Sequence, residues 1–163
     1  MKFIRESKYR HVFGDAWKEK YEDLRIATKA TEGEGLKANG KWLALSWQAG
    51  GGGQLAVLNK DKTGRMLPGE TSLITGHSGA ILDWEFNPFD ADMVATAAED
   101  CAVRIWQIPS EGFKQMKEPV VEMKQPKKVS LLAHNPCASN ILGTTAYDYV
   151  LRTLNVETQS LRT

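Results

Sequence analysis

The sequence predicts an all-β chain, a partial β-propeller of about two to three four-stranded blades. Two observations carry that expectation. His77 to Ile108 overlies Gln125 to Val156 at an offset of 48 residues without a gap, and a period of about 40–50 residues is that of propeller blades. Within each copy, short apolar runs are separated by Asn-Pro and by acidic turns, with no sustained helical spacing. In the overlay Asn87-Pro88 falls on Asn135-Pro136, Thr96 on Thr144, Ala98 on Ala146, Asp100 on Asp148 and Arg104 on Arg152. Ile81, Met93-Val94 and Val103 meet Val129, Ile141-Leu142 and Leu151.

Taken in chain order, Asp15 to Arg25 is expected to be irregular or briefly helical. A degenerate first unit follows, with strands at Trp42–Ser46, Leu55–Leu58 and Ser72–Ile74, and Gly50 to Gly53 connecting the first two as a hairpin. The central unit places strands at Ala80–Phe86, Met93–Ala98 and Ala102–Gln107. In the last of these, Val103, Ile105 and Gln107 share one face while Arg104 and Trp106 share the other. Pro119 to Met123 suits an outer strand, because proline belongs at a sheet edge. Residues 1–30 are expected to lead into the first blade, with blades near 31–75, 76–123 and 124–163. Trp42, Trp47, Trp84 and Trp106 fall on strands and are expected to pack, whereas Trp17 lies outside them.

Composition narrows the functional classes. A formal net charge of +1 gives no global drive toward nucleic acid or anionic membranes. No stretch approaches the ~18 apolar residues of a membrane span, and the basic start Met1 to Arg10 has no apolar run behind it. Cys101 and Cys137 suit neither a disulfide framework nor a zinc site, which points to a reducing, cytoplasmic setting. His11, His77 and His134 lack metal-ligand spacing, and no nucleophile–base pair is recognisable, so no catalytic residues, no metal and no cofactor are expected. Asp61-Lys62-Thr63-Gly64 is similar to the phosphorylated loop of ion pumps but lacks the following threonine.

Position by position the central unit resembles a WD repeat, with Gly76-His77 near its start and Trp106-Gln107 where the family has Trp-Asp. The resemblance implies a WD40-type β-propeller and a buried hydrogen-bond tetrad of His77, Thr96, Asp100 and Trp106. In the next copy Gln125 replaces the histidine and Leu154 the tryptophan, while Thr144 and Asp148 remain. That copy is expected to rely on apolar packing.

Ser7-Lys8-Tyr9-Arg10-His11-Val12-Phe13-Gly14 resembles the N-terminal signature of the coronins, and Tyr21-Glu22-Asp23-Leu24-Arg25 resembles their next block. Lys62-Thr63-Gly64-Arg65, Thr75-Gly76-His77, Glu99-Asp100-Cys101, Trp106-Gln107-Ile108-Pro109 and Glu118-Pro119-Val120-Val121 follow in the family's order. The resemblance implies binding to filamentous actin through a basic surface, centred on Arg25 and assisted by Lys8 and Arg10. The alternative is a general WD-repeat interaction scaffold with a different partner. Met1 to His11 holds four basic residues against Glu6, and Lys114 to Lys128 holds five lysines against Glu118 and Glu122. No heptad pattern follows, so the family's oligomerising coiled coil is absent from this sequence. An arc this short leaves blade faces open, and the expectation is a truncated or partial gene product.

Overall fold

The computed structural model describes residues 17–27, 34–48, 50, 53–67 and 69–162. The chain begins with β1 (Tyr21–Glu22), β2 (Leu36–Ala38), β3 (Trp42–Trp47), β4 (Gln54–Asn59), β5 (Gly64–Arg65) and β6 (Ser72–Ile74). It continues with β7 (Ile81–Phe86), β8 (Met93–Ala98), β9 (Ala102–Gln107), β10 (Gln115–Met116) and β11 (Val121–Lys124). Last come β12 (Val129–His134), β13 (Ile141–Ala146), β14 (Leu151–Asn155) and β15 (Ser160–Arg162). The fold is the all-β partial propeller that the repeat predicts.

The strands form three antiparallel meanders: β2-β3-β4-β6, then β7-β8-β9-β11, then β12-β13-β14-β15. Side-chain alternation along each strand sends successive residues to opposite faces, and that alternation determines how the sheets stack. Trp42, Ala44, Leu55, Val57 and Ile74 of the first sheet pack against Ile81, Trp84, Phe86, Val94 and Trp106 of the second. From the opposite face of the second sheet, Ala95, Ala97, Val103, Ile105 and Met123 meet Val129, Leu132, Leu142, Ala146 and Leu154 of the third. The middle sheet is therefore buried on both faces, which is why AILDWEF and MVATAA read as nearly continuous apolar runs. Each fully buried Leu, Ile or Val contributes about 1.5–3 kcal/mol of transfer free energy.

Two short pairings lie outside the meanders. β10, within the loop between β9 and β11, runs parallel to β6 and makes a fifth strand of the first sheet. β1 runs parallel to β5, with Tyr21 opposite Gly64 and Glu22 opposite Arg65. The described part of the expected irregular or helical lead is thus not helical. Tyr21 and Leu24 pack against the cluster of Leu45, Ala56 and Leu58 on the free face of the first sheet. The Tyr21 hydroxyl donates to the carbonyl of Lys60 at 2.7 Å, and Asp23 adopts φ 61°, which no helix accommodates. Tertiary packing overrides a weak local preference here. The outer strand of the second sheet starts at Val121 rather than Pro119, since proline brings no N–H to the ladder. Gly50 and Gly53 lie between β3 and β4; the intervening residues Gly51 and Gly52 are outside those described.

The contact between the first two sheets leaves no room for a side chain at Gly76. A Cβ there would sit 2.4 Å from the Trp106 ring and 2.6 Å from the Lys117 carbonyl oxygen, whereas one at Gly40 would meet nothing within 4 Å. Gly76→Ala should therefore cost about 1–3 kcal/mol through overpacking, and Gly40→Ala should cost far less. Urea denaturation midpoints of the two variants check this, and equal midpoints would contradict the packing described.

Candidate functional site

The second sheet carries a continuous polar chain from its surface turn into its core. The His77 ring accepts no solvent contact along its side chain; its Nδ1 lies 3.0 Å from Asp100 Oδ2 and its Nε2 lies 2.7 Å from Thr96 Oγ1. The Trp106 indole N–H donates to the same Thr96 oxygen at 2.8 Å. One proton arrangement satisfies all three contacts. Nδ1–H donates to the carboxylate, the threonine hydroxyl donates to Nε2, and Thr96 Oγ1 accepts from the indole. Strand register makes this geometry possible, because Thr96 stands opposite Arg104 on β9 and its neighbour Val94 stands opposite Trp106.

Arg104 is a fifth participant that the tetrad resemblance does not include. Its Nη1 donates to Asp100 Oδ2 at 2.7 Å and lies 2.6 Å from His77 Nδ1, while its Nε donates to Glu122 at 2.8 Å. Burial holds the His77 pKa below its ordinary 6.5 and the nearby guanidinium pushes the same way, despite the attraction of Asp100. Burial alone would raise the Asp100 pKa, but the bonds from Arg104 and His77 hold it below 3.8. The guanidinium and the ring N–H thus share one carboxylate, and the imidazole stays neutral. The alignment of Arg104 with Arg152 was the available signal for this fifth member.

In the third sheet only the outer half of the chain survives. Arg152 Nη1 donates to Asp148 at 3.0 Å in a two-pronged pair, repeating Asp100–Arg104 one unit on. Gln125, at the histidine position, is 7% exposed, and neither end of its amide has a protein partner. Leu154 is fully buried at the tryptophan position beside Leu142. The third sheet is thus held by apolar contacts where the second uses a satisfied network.

Acidic side chains of β7 clamp the third sheet from the other side. Asp83 accepts the Leu132 N–H at 2.8 Å and Glu85 accepts the His134 N–H at 2.9 Å, while Lys37 of the first sheet pairs with Asp83 at 3.0 Å. Burial raises the Glu85 pKa above 4.5. These residues lie at the inner edge of all three sheets, beside a groove of about 780 Å³. Sequence reasoning did not single them out, because a carboxylate that caps a neighbouring strand has no spacing of its own. His134 is half-buried, both ring nitrogens lack protein partners, and burial lowers its pKa to about 4.

Of the residues expected to form a basic contact surface, Arg25 is the one the structure places. It lies on the segment that covers the first sheet, with its side chain exposed. Its carbonyl accepts the Gln48 N–H at 2.8 Å, and Ile26 bridges to Trp47. Arg65 pairs with Asp23 on the same segment. Lys8 and Arg10 lie outside the described residues. The lysines of 114–128 do not share one element: Lys114 precedes β10, Lys124 ends β11, and Lys128 pairs with Glu99 at 3.1 Å. Trp17 is 87% exposed. Among the described residues no group of three or more His, Cys, Asp or Glu is placed to hold a metal, and no helix is long and apolar enough to cross a membrane.

Residues 2–65 match a family model described as a domain of unknown function, DUF1899. A coronin-like protein of Saccharomyces cerevisiae is 37% identical over 172 residues, covering 96% of this chain and 26% of that protein. A coronin-like protein of Schizosaccharomyces pombe is 33% identical over 164 residues, covering 96% and 27%. The crystal structure of the WD40 domain from Toxoplasma gondii coronin superposes with a TM-score of 0.83 at 42% identity, over 90% of this chain and 38% of that one. The chain spans about a quarter of the length of the curated relatives it matches.

Two outcomes follow from the polar chain. Thr96→Val keeps the shape of the side chain and deletes the hydroxyl that bonds both the Trp106 indole and His77, so it should cost about 1–3 kcal/mol in urea denaturation; a neutral result would show that these bonds are dispensable. His77 and His134 both have folded pKa values below 6.5, so the unfolded chain takes up protons first on acidification. Stability should therefore be level above about pH 7 and fall as the pH drops below 6.5, until the raised pKa of Glu85, which takes up its proton more readily in the folded state, opposes the loss. At lower pH still Asp100, whose folded pKa is depressed, adds a further loss. His134→Phe, which installs the residue of the preceding unit, should flatten the upper part of the profile. A urea midpoint that rises on acidification would contradict these assignments.

Proposed function

Because the chain belongs to the coronin family, we propose that it is a non-catalytic actin-filament-binding module of the cytoplasmic cytoskeleton. The observation that carries this proposal is the setting of Arg25. It is an exposed arginine on a backbone pinned to the first sheet at Tyr21, Ile26 and Ala27. A guanidinium held on a fixed backbone loses little freedom when its planar fork meets a carboxylate on an acidic filament surface. Lys8 and Arg10, from the signature that precedes this segment, supply accessory charge that steers encounter rather than fixing geometry. We divide the chain into a leading segment 1–30 and blades near 31–75, 76–123 and 124–163.

Co-sedimentation with filamentous actin over rising salt tests the proposal. Pelleting should weaken as salt rises, and Arg25→Asp should reduce affinity about tenfold or more while the circular dichroism of the fold is retained. Unchanged pelleting of a folded Arg25→Asp variant would remove Arg25 from the contact. Absence of pelleting by the parent chain at low salt would point to a partner other than actin.

A further inference from the structure

The loop between β4 and β5 carries a hydroxyl that filament binding does not use. Thr63 is exposed there, and among the described residues its side chain has no hydrogen-bond partner. Lys60 stands three positions before it, Lys62 one before and Arg65 two after, with Asp61 the one acid in the run. Asn59 closes the turn that presents this run. Its Oδ1 accepts the Asp61 N–H at 2.9 Å, and its carbonyl accepts the Lys62 N–H at 3.1 Å. From Lys62 to Arg65 the backbone is not helical, and its one regular tie is the two-residue pairing of β5 with β1. A run of that kind enters an enzyme cleft in extended form by opening a single short pairing. Thr63 also lines a groove of about 530 Å³ between the first sheet and the loop after β9, with Lys62, Arg65 and Lys114 as its cations and Glu70 and Glu111 as its acids.

We infer that Thr63 is a phosphorylation site for a kinase that reads basic residues on both sides of its target, and that its phosphate unfastens the segment carrying Arg25. The step is a phosphoryl transfer from ATP. Thr63 Oγ attacks the γ-phosphorus, the bond from that phosphorus to the bridging oxygen breaks, ADP leaves, and the hydroxyl proton passes to the kinase's base. The product places a charge of about −2 and strong acceptor oxygens beside Arg65. In the unmodified chain Arg65 Nε donates to Asp23, which sits at φ 61°, and both side chains of that pair are exposed. An exposed pair of single charges is weak, whereas a guanidinium grips a phosphate dianion through two parallel bonds. The phosphate therefore takes Arg65, with Lys62 and Lys114 of the groove adding to its hold, and Asp23 loses its partner. Asp23 lies two residues before Arg25. With the side-chain tie gone, β1 and β5 are joined only through Tyr21 with Gly64 and Glu22 with Arg65. Charge acts in the same direction. The formal net charge of +1 falls to about −1, and a freed carboxylate beside Arg25 opposes an acidic filament surface. The consequence for filaments rests on the binding proposed above; the modification and the unfastening do not.

The folded chain is treated with ATP and the catalytic domain of protein kinase C, and the modified sites are mapped by mass spectrometry. Thr63 should take up phosphate ahead of Ser78, which is also exposed but has no Lys or Arg within three positions. Phosphate on a peptide of residues 58–68 but not on the folded chain would overturn the site, as would phosphate on neither. Brief trypsin treatment reads the unfastening. The phosphorylated chain should be cut after Lys20 and Arg25 about fivefold faster than the unmodified chain, with the circular dichroism of the fold retained. Arg65→Gln should show the same faster cutting without any phosphate, and unchanged cutting of both would overturn the release of the segment. In co-sedimentation the phosphorylated chain should bind filaments about fivefold more weakly than the unmodified chain. Equal pelleting of the two would overturn the link to filaments. Absence of pelleting by the unmodified chain would instead remove the filament reading, and the mapped site and the tryptic rates would still decide the modification and the release.

Discussion

The middle sheet is apolar on both faces, and every other feature of the chain is arranged around that constraint. Val94 and Ala98 point one way along β8 and Ala95 and Ala97 the other, all fully buried. A strand alternates by geometry, so two buried faces require two covering sheets, one on each side, and three stacked sheets are the smallest arrangement that meets the requirement. The same rule transfers the problem outward. The first and third sheets each gain one covered face and must find cover for the other. The first sheet finds it in Tyr21 and Leu24. The third leaves Leu131 and Leu151 at its surface.

Stacking apolar sheets fixes their spacing but not their rotation, because dispersion and transfer terms have little directionality. The polar contacts supply direction. The His77–Thr96–Trp106 chain ties the entry of the second sheet to two of its strands, and Asp100–Arg104 closes its turn. Between sheets, Asp83 and Glu85 capture N–H groups of β12 on one side of the stack. Asn39 and Asn87 capture carbonyls at the turns. Each of these groups is buried or half-buried, so losing its partner would leave a desolvated polar atom behind. Their net worth per bond is small; their effect is to make one relative placement of the sheets the satisfied one.

How much of this was legible depends on whether a residue's role has a period. The repeat offset, the strand pattern of β7 to β9 and the tetrad positions all recur or match a spaced motif, and sequence reading finds them. Asn87 and Asn135 were visible only as Asn-Pro breaks between strands. Extending the offset one unit back to Asn39 would have shown that the asparagine, not the proline, recurs. Arg104 aligned with Arg152 but carried no expectation, because an i,i+4 pair across a turn is indistinguishable from ordinary surface charge until the turn is built. Asp83 and Glu85 sit in an apolar strand with no counterpart in the next unit, where Leu131 and Ala133 stand. β1 was hidden for a different reason. A two-residue parallel pairing has no hydrophobic signature, and the segment owes its shape to the face it covers.

That covering segment also explains why Arg25 stands where it does. The contact role proposed for Arg25 asks for an exposed side chain on a backbone that does not move with it. Loops offer exposure, and strands of the stacked core offer rigidity. The stretch from Tyr21 to Ala27 combines them by being fastened at its two ends: Tyr21 bonds to the Lys60 carbonyl at one, and Ala27 donates to Ser46 at the other. Between these ties the apolar side chains of Tyr21 and Leu24 turn inward and Arg25 turns outward. The same seven residues therefore protect the first sheet's free face and carry the exposed guanidinium. Loosening that cover, for instance by truncating Leu24, would disturb the presentation of Arg25 without touching its charge.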